Sequence, residues 1–349
     1  MNRRNKSRKT RLIALLLALV LALGLVACTP AKGPENTPQP TPTPVAEPDQ
    51  INFAVLSGPT GVGAAKLLAD NEAGKTAYKY NVTVASDNSE VSSKLTNGDL
   101  DIACMASNVA ANLYNKSGGK VQALCLSTLG VLYILESGEG SIKSMKELKG
   151  QTIYATGQGA NPEYVLNYLL RENGIDPKKD VEIVWQTAQE VQAAMIGGKA
   201  KFAMLPVPAA TAVQVQSKAK GGQVTAVLDL TEEWNKITDD SVLTMTTVVA
   251  RTEFIEKYPN AVKKFLEEYA ASIGYVNGNV EDAAKLVVQY GIVGAEPIAK
   301  LAIPDCNLVF VEGEAMKKQI DGYYKVLFEA DPASVGGAVP DSGFYYGVQ

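Results

Sequence analysis

Two stretches one hundred residues apart, SEVSSKLTNGDLDIACMASNVAA (Ser89–Ala111) and QEVQAAMIGGKAKFAMLPVPAAT (Gln189–Thr211), align without gaps. Glu90 and Glu190, Val91 and Val191, Gly98 and Gly198, Ala103 and Ala203, and Ala110 and Ala210 coincide. Upstream, Ser57-Gly58 matches Thr156-Gly157, ninety-nine residues apart. Any two βαβ units share a general likeness. The common Glu-Val pair, turn glycine and strand alanine favour two related lobes over that generic resemblance.

Outward from these stretches, short β-rich runs alternate with longer amphipathic segments, the signature of an α/β chain. The first series of predicted strands is Ile51–Leu56, Asn81–Ala85, Leu100–Met105 and Val121–Leu126. The second is Thr152–Ala155, Val181–Trp185, Lys201–Leu205 and Val224–Leu228. A further β-rich run, Ser241–Arg251, precedes a helical tail at Glu253–Val276, Val280–Tyr290 and Gly313–Phe328. This order predicts two lobes, each a mostly parallel sheet flanked by helices. Residues 51–137 and 242–349 form the first lobe and residues 138–241 the second. Two crossings, near Tyr133–Ser144 and Asp229–Thr247, form a hinge beside a cleft.

The N-terminus reads as an address. Met1–Arg11 is basic and Leu12–Ala27 is continuously apolar, the pattern of a secretory signal. The apolar run is short for a membrane span. It ends in Leu25-Val-Ala-Cys28, which resembles the lipobox of bacterial lipoproteins, so residues 1–27 are expected to be removed and Cys28 lipidated. The Pro/Thr-rich stretch that completes residues 28–50 favours extended, solvated backbone and suits a tether. The body is therefore expected outside the cell membrane and anchored to it.

Composition excludes several chemistries. There is no histidine, which removes a Ser-His-Asp triad, a Cys-His pair and a His-ligated metal. The four cysteines form no Cys-x-x-Cys, so a metal or redox centre has no support. With Cys28 lipidated, Cys104, Cys125 and Cys306 are odd in number, and whether any two of them pair stays open. The formal charge is −4 although six bases lie in the first eleven residues. The body is thus strongly acidic, a poor partner for nucleic acid.

In parallel α/β sheets, ligands sit beyond the carboxyl ends of strands, where helix N-termini point. The residues there are candidates for ligand contact. In the first lobe they are Ser57, Gly58, Pro59, Thr60, Asn88, Ser107, Asn108 and Thr128. In the second they are Thr156, Gly157, Gln158, Gly159, Asn161, Trp185 and Pro206. Ser, Thr and Asn at such places cap helices, and the caps are expected to leave backbone N–H groups facing a ligand. Ser107, Asn108 and Asn161 serve equally as caps alone. Trp185, at a strand end, is expected on the cleft wall. These strand-end loops contain no Lys or Arg, which suits a neutral or heteroaromatic ligand better than an oxyanion clamped by Arg.

Gly58 and Gly63 have Walker spacing, but Ala64-Ala65 stand where Lys-Ser/Thr would follow. Gly61-Val-Gly63 is only a fragment of a dinucleotide fingerprint. A nucleotide-handling enzyme is therefore the weakest reading. The lipobox, the tether, the two lobes and the helical return together resemble the substrate-binding lipoproteins of ABC importers. The phrases NGDLDIACMASNVAA, SMKELKGQTIYATGQGANPEYVL and ARTEFIEKYPNAVKKFLEEYAASI resemble the branch serving nitrate, sulfonates, taurine and pyrimidine precursors. That resemblance spans about Ile51–Phe328. It implies a type II periplasmic-binding-protein fold and closure on a sulfonate- or nitrate-type anion or a pyrimidine-like solute. It also implies a monomer that delivers this solute to a membrane permease, with no cofactor and no catalytic residue. A ligand-sensing receptor of the same fold is the alternative. A relative that makes a thiamine pyrimidine precursor uses an active-site histidine, which this chain lacks.

Overall fold

The computed structural model of the chain describes residues 46–238 and 241–348. The basic head, the apolar segment, Cys28 and most of the Pro/Thr stretch lie outside the described residues. The body opens with strand β1 (Ile51–Leu56), helices α1 (Pro59–Val62) and α2 (Ala65–Glu72), and strand β2 (Tyr80–Ala85). Helix α3 (Asn88–Asn97), strand β3 (Ile102–Ala106), helix α4 (Ser107–Ser117) and strand β4 (Val121–Leu129) follow. The chain then crosses to β5 (Leu132–Ser137), β6 (Thr152–Ala155), α5 (Asn161–Glu172), β7 (Glu182–Trp185) and α6 (Ala188–Ile196). It continues through β8 (Phe202–Pro206), α7 (Ala209–Ala219), β9 (Val224–Asp229) and α8 (Leu230–Asn235). The return is β10 (Thr244–Arg251), α9 (Thr252–Lys257), α10 (Pro259–Gly278), α11 (Val280–Gln289), α12 (Glu296–Ala302), β11 (Leu308–Val311) and α13 (Gly313–Ala330).

These strands form two sheets, in the orders β11-β4-β10-β3-β1-β2 and β7-β6-β8-β5-β9. Each is mixed. β1 pairs parallel with β2 and β3, while β10 runs antiparallel between β3 and β4. In the second sheet β6 pairs parallel with β7 and β8, while β5 runs antiparallel between β8 and β9. Helices cover both faces, so the central strands are buried throughout: β3 has every residue buried, and β10 all but its last.

The matched stretches occupy matched elements. α3, β3 and α4 in the first half stand where α6, β8 and α7 stand in the second. Gly98 and Gly198 both adopt the left-handed conformation, with φ of +83° and +72°, at the turn between helix and strand. A side chain is strained in that turn, which explains the shared glycine.

Three expectations about the chain path shift. The first crossing is not Tyr133–Ser144 but Gly130–Val131, because Tyr133–Ser137 belongs to β5 and pairs with β8 and β9. A Cβ on Gly130 would lie 2.1 Å from the Thr231 hydroxyl, so the crossing needs glycine to pass α8. The second expected crossing contains α8, whose Trp234 is fully buried. The tail also carries a strand read as part of a helical return, β11, which pairs antiparallel with β4.

Cys104 on β3 and Cys125 on β4 do not meet: both stand opposite Val248 of β10, which separates them. Together with Cys306 they are buried free thiols. The hydrophobic core is continuous through the hinge, joining Met105, Leu126 and Val249 of one sheet to Ile134, Ile153 and Met204 of the other.

Candidate functional site

Between the two sheets lies a cavity of about 590 Å³, within the range of small-molecule sites. The first sheet contributes the carboxyl ends of β1, β2 and β3, as the topology of parallel strands dictates. Of the fifteen positions expected there, Ser57, Gly58, Pro59, Thr60, Asn88, Thr156, Gly157, Asn161 and Pro206 line the cavity. The other six do not.

Ser107 is fully buried; its hydroxyl accepts from Thr247 Oγ1 at 2.9 Å and its carbonyl accepts from Tyr324 at 2.7 Å. Asn108 donates its side-chain amide to Ser334 O. Thr128 lies buried within β4, paired opposite Thr246 and Leu308. These three hold the first lobe together. Gln158 and Gly159 are exposed at the tip of their loop. Trp185 does end a strand, but that strand is the edge of its sheet, and the ring packs half-buried against the core. The other tryptophan, Trp234, is packed inside between the tilted rings of Tyr168 and Tyr323, with ring centroids 5.0 and 5.5 Å away. Among the described lining residues there is no aromatic ring.

Asn161 lines the cavity, but its side-chain amide is fully engaged within the protein. Its Oδ1 accepts the Asn108 N–H at 3.0 Å and the Tyr323 hydroxyl at 2.8 Å. Its Nδ2 donates to Met245 O at 2.7 Å and Thr244 O at 3.4 Å. Asn161 begins α5 beside the second sheet, and all four partners belong to elements beside or within the first. One side chain therefore ties the two halves at the cavity floor.

Several lining residues lie where strand-end reasoning does not look. Gln189 and Gln192 stand one turn apart on α6, and Ala209, Ala212 and Gln216 share a face of α7. Met245 and Thr246 come from β10. The loop Gly291–Ala295, with Ile298 of α12, covers the glycine loop, and Ile292 O accepts the Gly58 N–H at 2.9 Å. In the sequence this loop hides inside an apparent helical tail; the Gly-bracketed GIVG before Pro297 is the signal that marks it. α12, whose Ile298 lines the cavity, meets α7, so the two lobes touch beside it.

Asp87 is the one charged side chain among the described lining residues. Its Oδ1 accepts the N–H groups of Ser89 and Glu90, each at 2.9 Å, and caps α3. The Ser89 hydroxyl, followed by the Glu90 N–H, holds this carboxyl below the usual carboxylate range. It is ionised at neutral pH.

Residues 81–283, from β2 into α11, match the family described as NMT1/THI5 like. The chain belongs to the NMT1/THI5-like family. No curated protein matches it. Among solved structures, this family member is similar to an ABC transporter from Parabacteroides distasonis, with a TM-score of 0.70 and 22% identity over 85% of this chain and 99% of that one. It is also similar to the periplasmic aliphatic sulphonate binding protein SsuA from Escherichia coli, with a TM-score of 0.67 and 14% identity over 86% and 92%. The periplasmic nitrate-binding protein NrtA from Synechocystis PCC 6803 gives a TM-score of 0.55 and 12% identity over 72% and 68%. These likenesses establish the fold, the two-lobed α/β architecture of type II periplasmic binding proteins. Among the described residues, no helix is long and apolar enough to cross a membrane, and no cluster of His, Cys, Asp and Glu could hold a metal.

Proposed function

We propose that the chain is the extracytoplasmic solute-binding component of an ABC importer, tethered by a lipid on Cys28. Its two lobes close on a small polar organic solute and deliver it to a membrane permease. The observation that carries this reading is the cavity itself, set at the strand ends and lined from both lobes. The sulphonate- and nitrate-binding proteins of similar fold support it. In this family two solute classes come into question, sulfonate- or nitrate-type anions and pyrimidine-like heterocycles. Each sheet with its helices acts as one lobe, turning about the crossing at Gly130–Val131 and the one that leads into β10. Solute that touches both lobes favours the closed arrangement by population shift.

A thermal-shift screen of the full chain tests this. One chemical class drawn from nitrate, sulfonates, pyrimidines and other vitamin precursors should raise the melting temperature. Mass action gives about 2.7 kcal/mol at a hundredfold excess over Kd. A cooperatively unfolding chain that answers to nothing in a broad library sinks the reading. For the anchor, Cys28→Ala should abolish lipid labelling.

A further inference from the structure

The two lobes meet through two sets of elements, and the chemistry of the two contacts differs. At the cavity floor the contact is hydrogen-bonded. Asn161 of α5 reaches four partners beside or within the first sheet. Arg171, near the other end of α5, donates to Ala330 O at the end of α13 at 3.1 Å. Parting the lobes here strands the Tyr323 hydroxyl and the Asn108 N–H in a buried place, which is costly. This contact is a fixed joint.

Beside the cavity the contact is apolar. Val207 and Ala212, which follow β8, are buried in one cluster with Ile292, Ile298, Ala299 and Ile303, which precede β11. Helices α7 and α12 pack against each other there. Among the described residues, no hydrogen bond or ion pair joins residues 291–306 to residues 131–241; Lys300 of α12 pairs with Glu281 and Glu296 of its own lobe. A contact of hydrocarbon is non-directional, so it parts and re-forms without stranding a polar group. Burial of these side chains also favours the joined lobes with no solute taking part. Ala212 and Ile298 line the cavity as well, so parting this contact opens the cavity wall.

We propose that α12 and α7 form an apolar latch: it keeps the lobes joined without solute, and solute enters when the latch parts while the Asn161 joint holds. The proposal rests on the two-lobed solute-binding reading and deepens it. The resting chain is already closed, so solute adds its contacts to that form and is spared most of the cost of a population shift.

The test is a distance measurement by pulsed electron spin resonance on the full chain, with no solute added. One spin label goes on Lys218→Cys in α7 and the other on Leu301→Cys in α12, both exposed positions. Cys28→Ser removes the thiol outside the body, and the three native thiols within it are buried. The otherwise unaltered chain should give one short distance. Ile298→Ala, which removes hydrocarbon from the first-lobe side, should raise the share of a longer distance about tenfold relative to the short one. Ala212→Glu, which places a charge in the contact from the second-lobe side, should act in the same direction. Should either variant fail to unfold cooperatively, Ile298→Val takes its place and should give a smaller shift of the same sign. A long distance that already dominates in the unaltered chain overturns the closed resting form. Folded variants that keep only the short distance show a permanent contact and overturn the latch. No solute enters these measurements, so the solute-binding reading stands or falls separately, by the thermal-shift screen.

Discussion

Helices α3 and α6 open onto the cavity from matched places in the chain, yet their N-termini are capped by different chemistry. Asp87 caps α3 with a carboxylate that accepts two N–H groups by itself. At the position one hundred residues on, Thr187 caps α6 with a neutral hydroxyl, and Glu190 reaches back to the Thr187 N–H to complete a capping box. Glu90, the sequence match of Glu190, is released from that task and pairs instead with Lys94 one turn on. A cap does two things, satisfying N–H groups and placing charge. Holding a helix requires only the first. The second is free to differ, and here it puts one negative charge on the cavity wall from one half alone.

A similar divergence follows in the next element. Ser107 and Asn108 begin α4 as buried polar groups, whereas Val207 at the matched place is an apolar residue buried among first-lobe side chains. Cys104 is matched by Met204.

The largest effect that can break this comparison lies in the thiols. Burial pushes Cys104 and Cys306 up to about 12 and raises Cys125 well above its ordinary value. The thiolate is the reactive form, so these three should react with a thiol reagent at mildly basic pH about a thousandfold more slowly than after unfolding. Fast labelling of the native chain would mean that the first lobe opens locally around these thiols.

Next comes the tie between the halves. Asn161→Ala leaves the Tyr323 hydroxyl and the Asn108 N–H buried without their partner. At roughly 1–3 kcal/mol for each unsatisfied group, a loss of about 3 kcal/mol is expected in denaturant unfolding. A loss under about 1 kcal/mol would show that the halves are held by packing alone.

Smaller still is the cap of α6. Thr187→Ala should cost about 1 kcal/mol, whereas Asp87→Asn, which still caps α3, should cost a few tenths. Equal losses would erase the distinction between hydrogen bonding and charge at the two caps.

The smallest effect appears in acid. Asp87 is held low chiefly by the Ser89 hydroxyl, and Glu190 chiefly by the Thr187 N–H. The folded state therefore binds fewer protons than the unfolded one through the carboxylate range. The stability from both caps is present above the unfolded value and is lost as pH falls through the folded one. Asp87→Asn should flatten part of that slope in the unfolding midpoint measured against pH, and an unchanged slope would discount the charge.

The sequence by itself determined the two-lobed α/β class, the repeat and the glycine loops at the cavity, because these are written in local chemistry. Strand and helix periodicity, turn glycines and capping residues act over a few positions and are visible without contacts. Nine of the candidate positions line the cavity because parallel strands must end there. Tertiary structure alone decided the rest. Trp185 ends a strand as expected, but only sheet order reveals that the strand is an edge. Ser107, Asn108 and Thr128 have the composition of ligand contacts, and only their distant partners show that they are internal. β5 was hidden because a short apolar run beside a crossing reads as either strand or connection until β8 and β9 pair with it. The helix N-termini made the sharpest difference. A sequence shows that an N-terminus exists, but whether its N–H groups face a ligand or the protein's own oxygen atoms depends on side chains brought together in space.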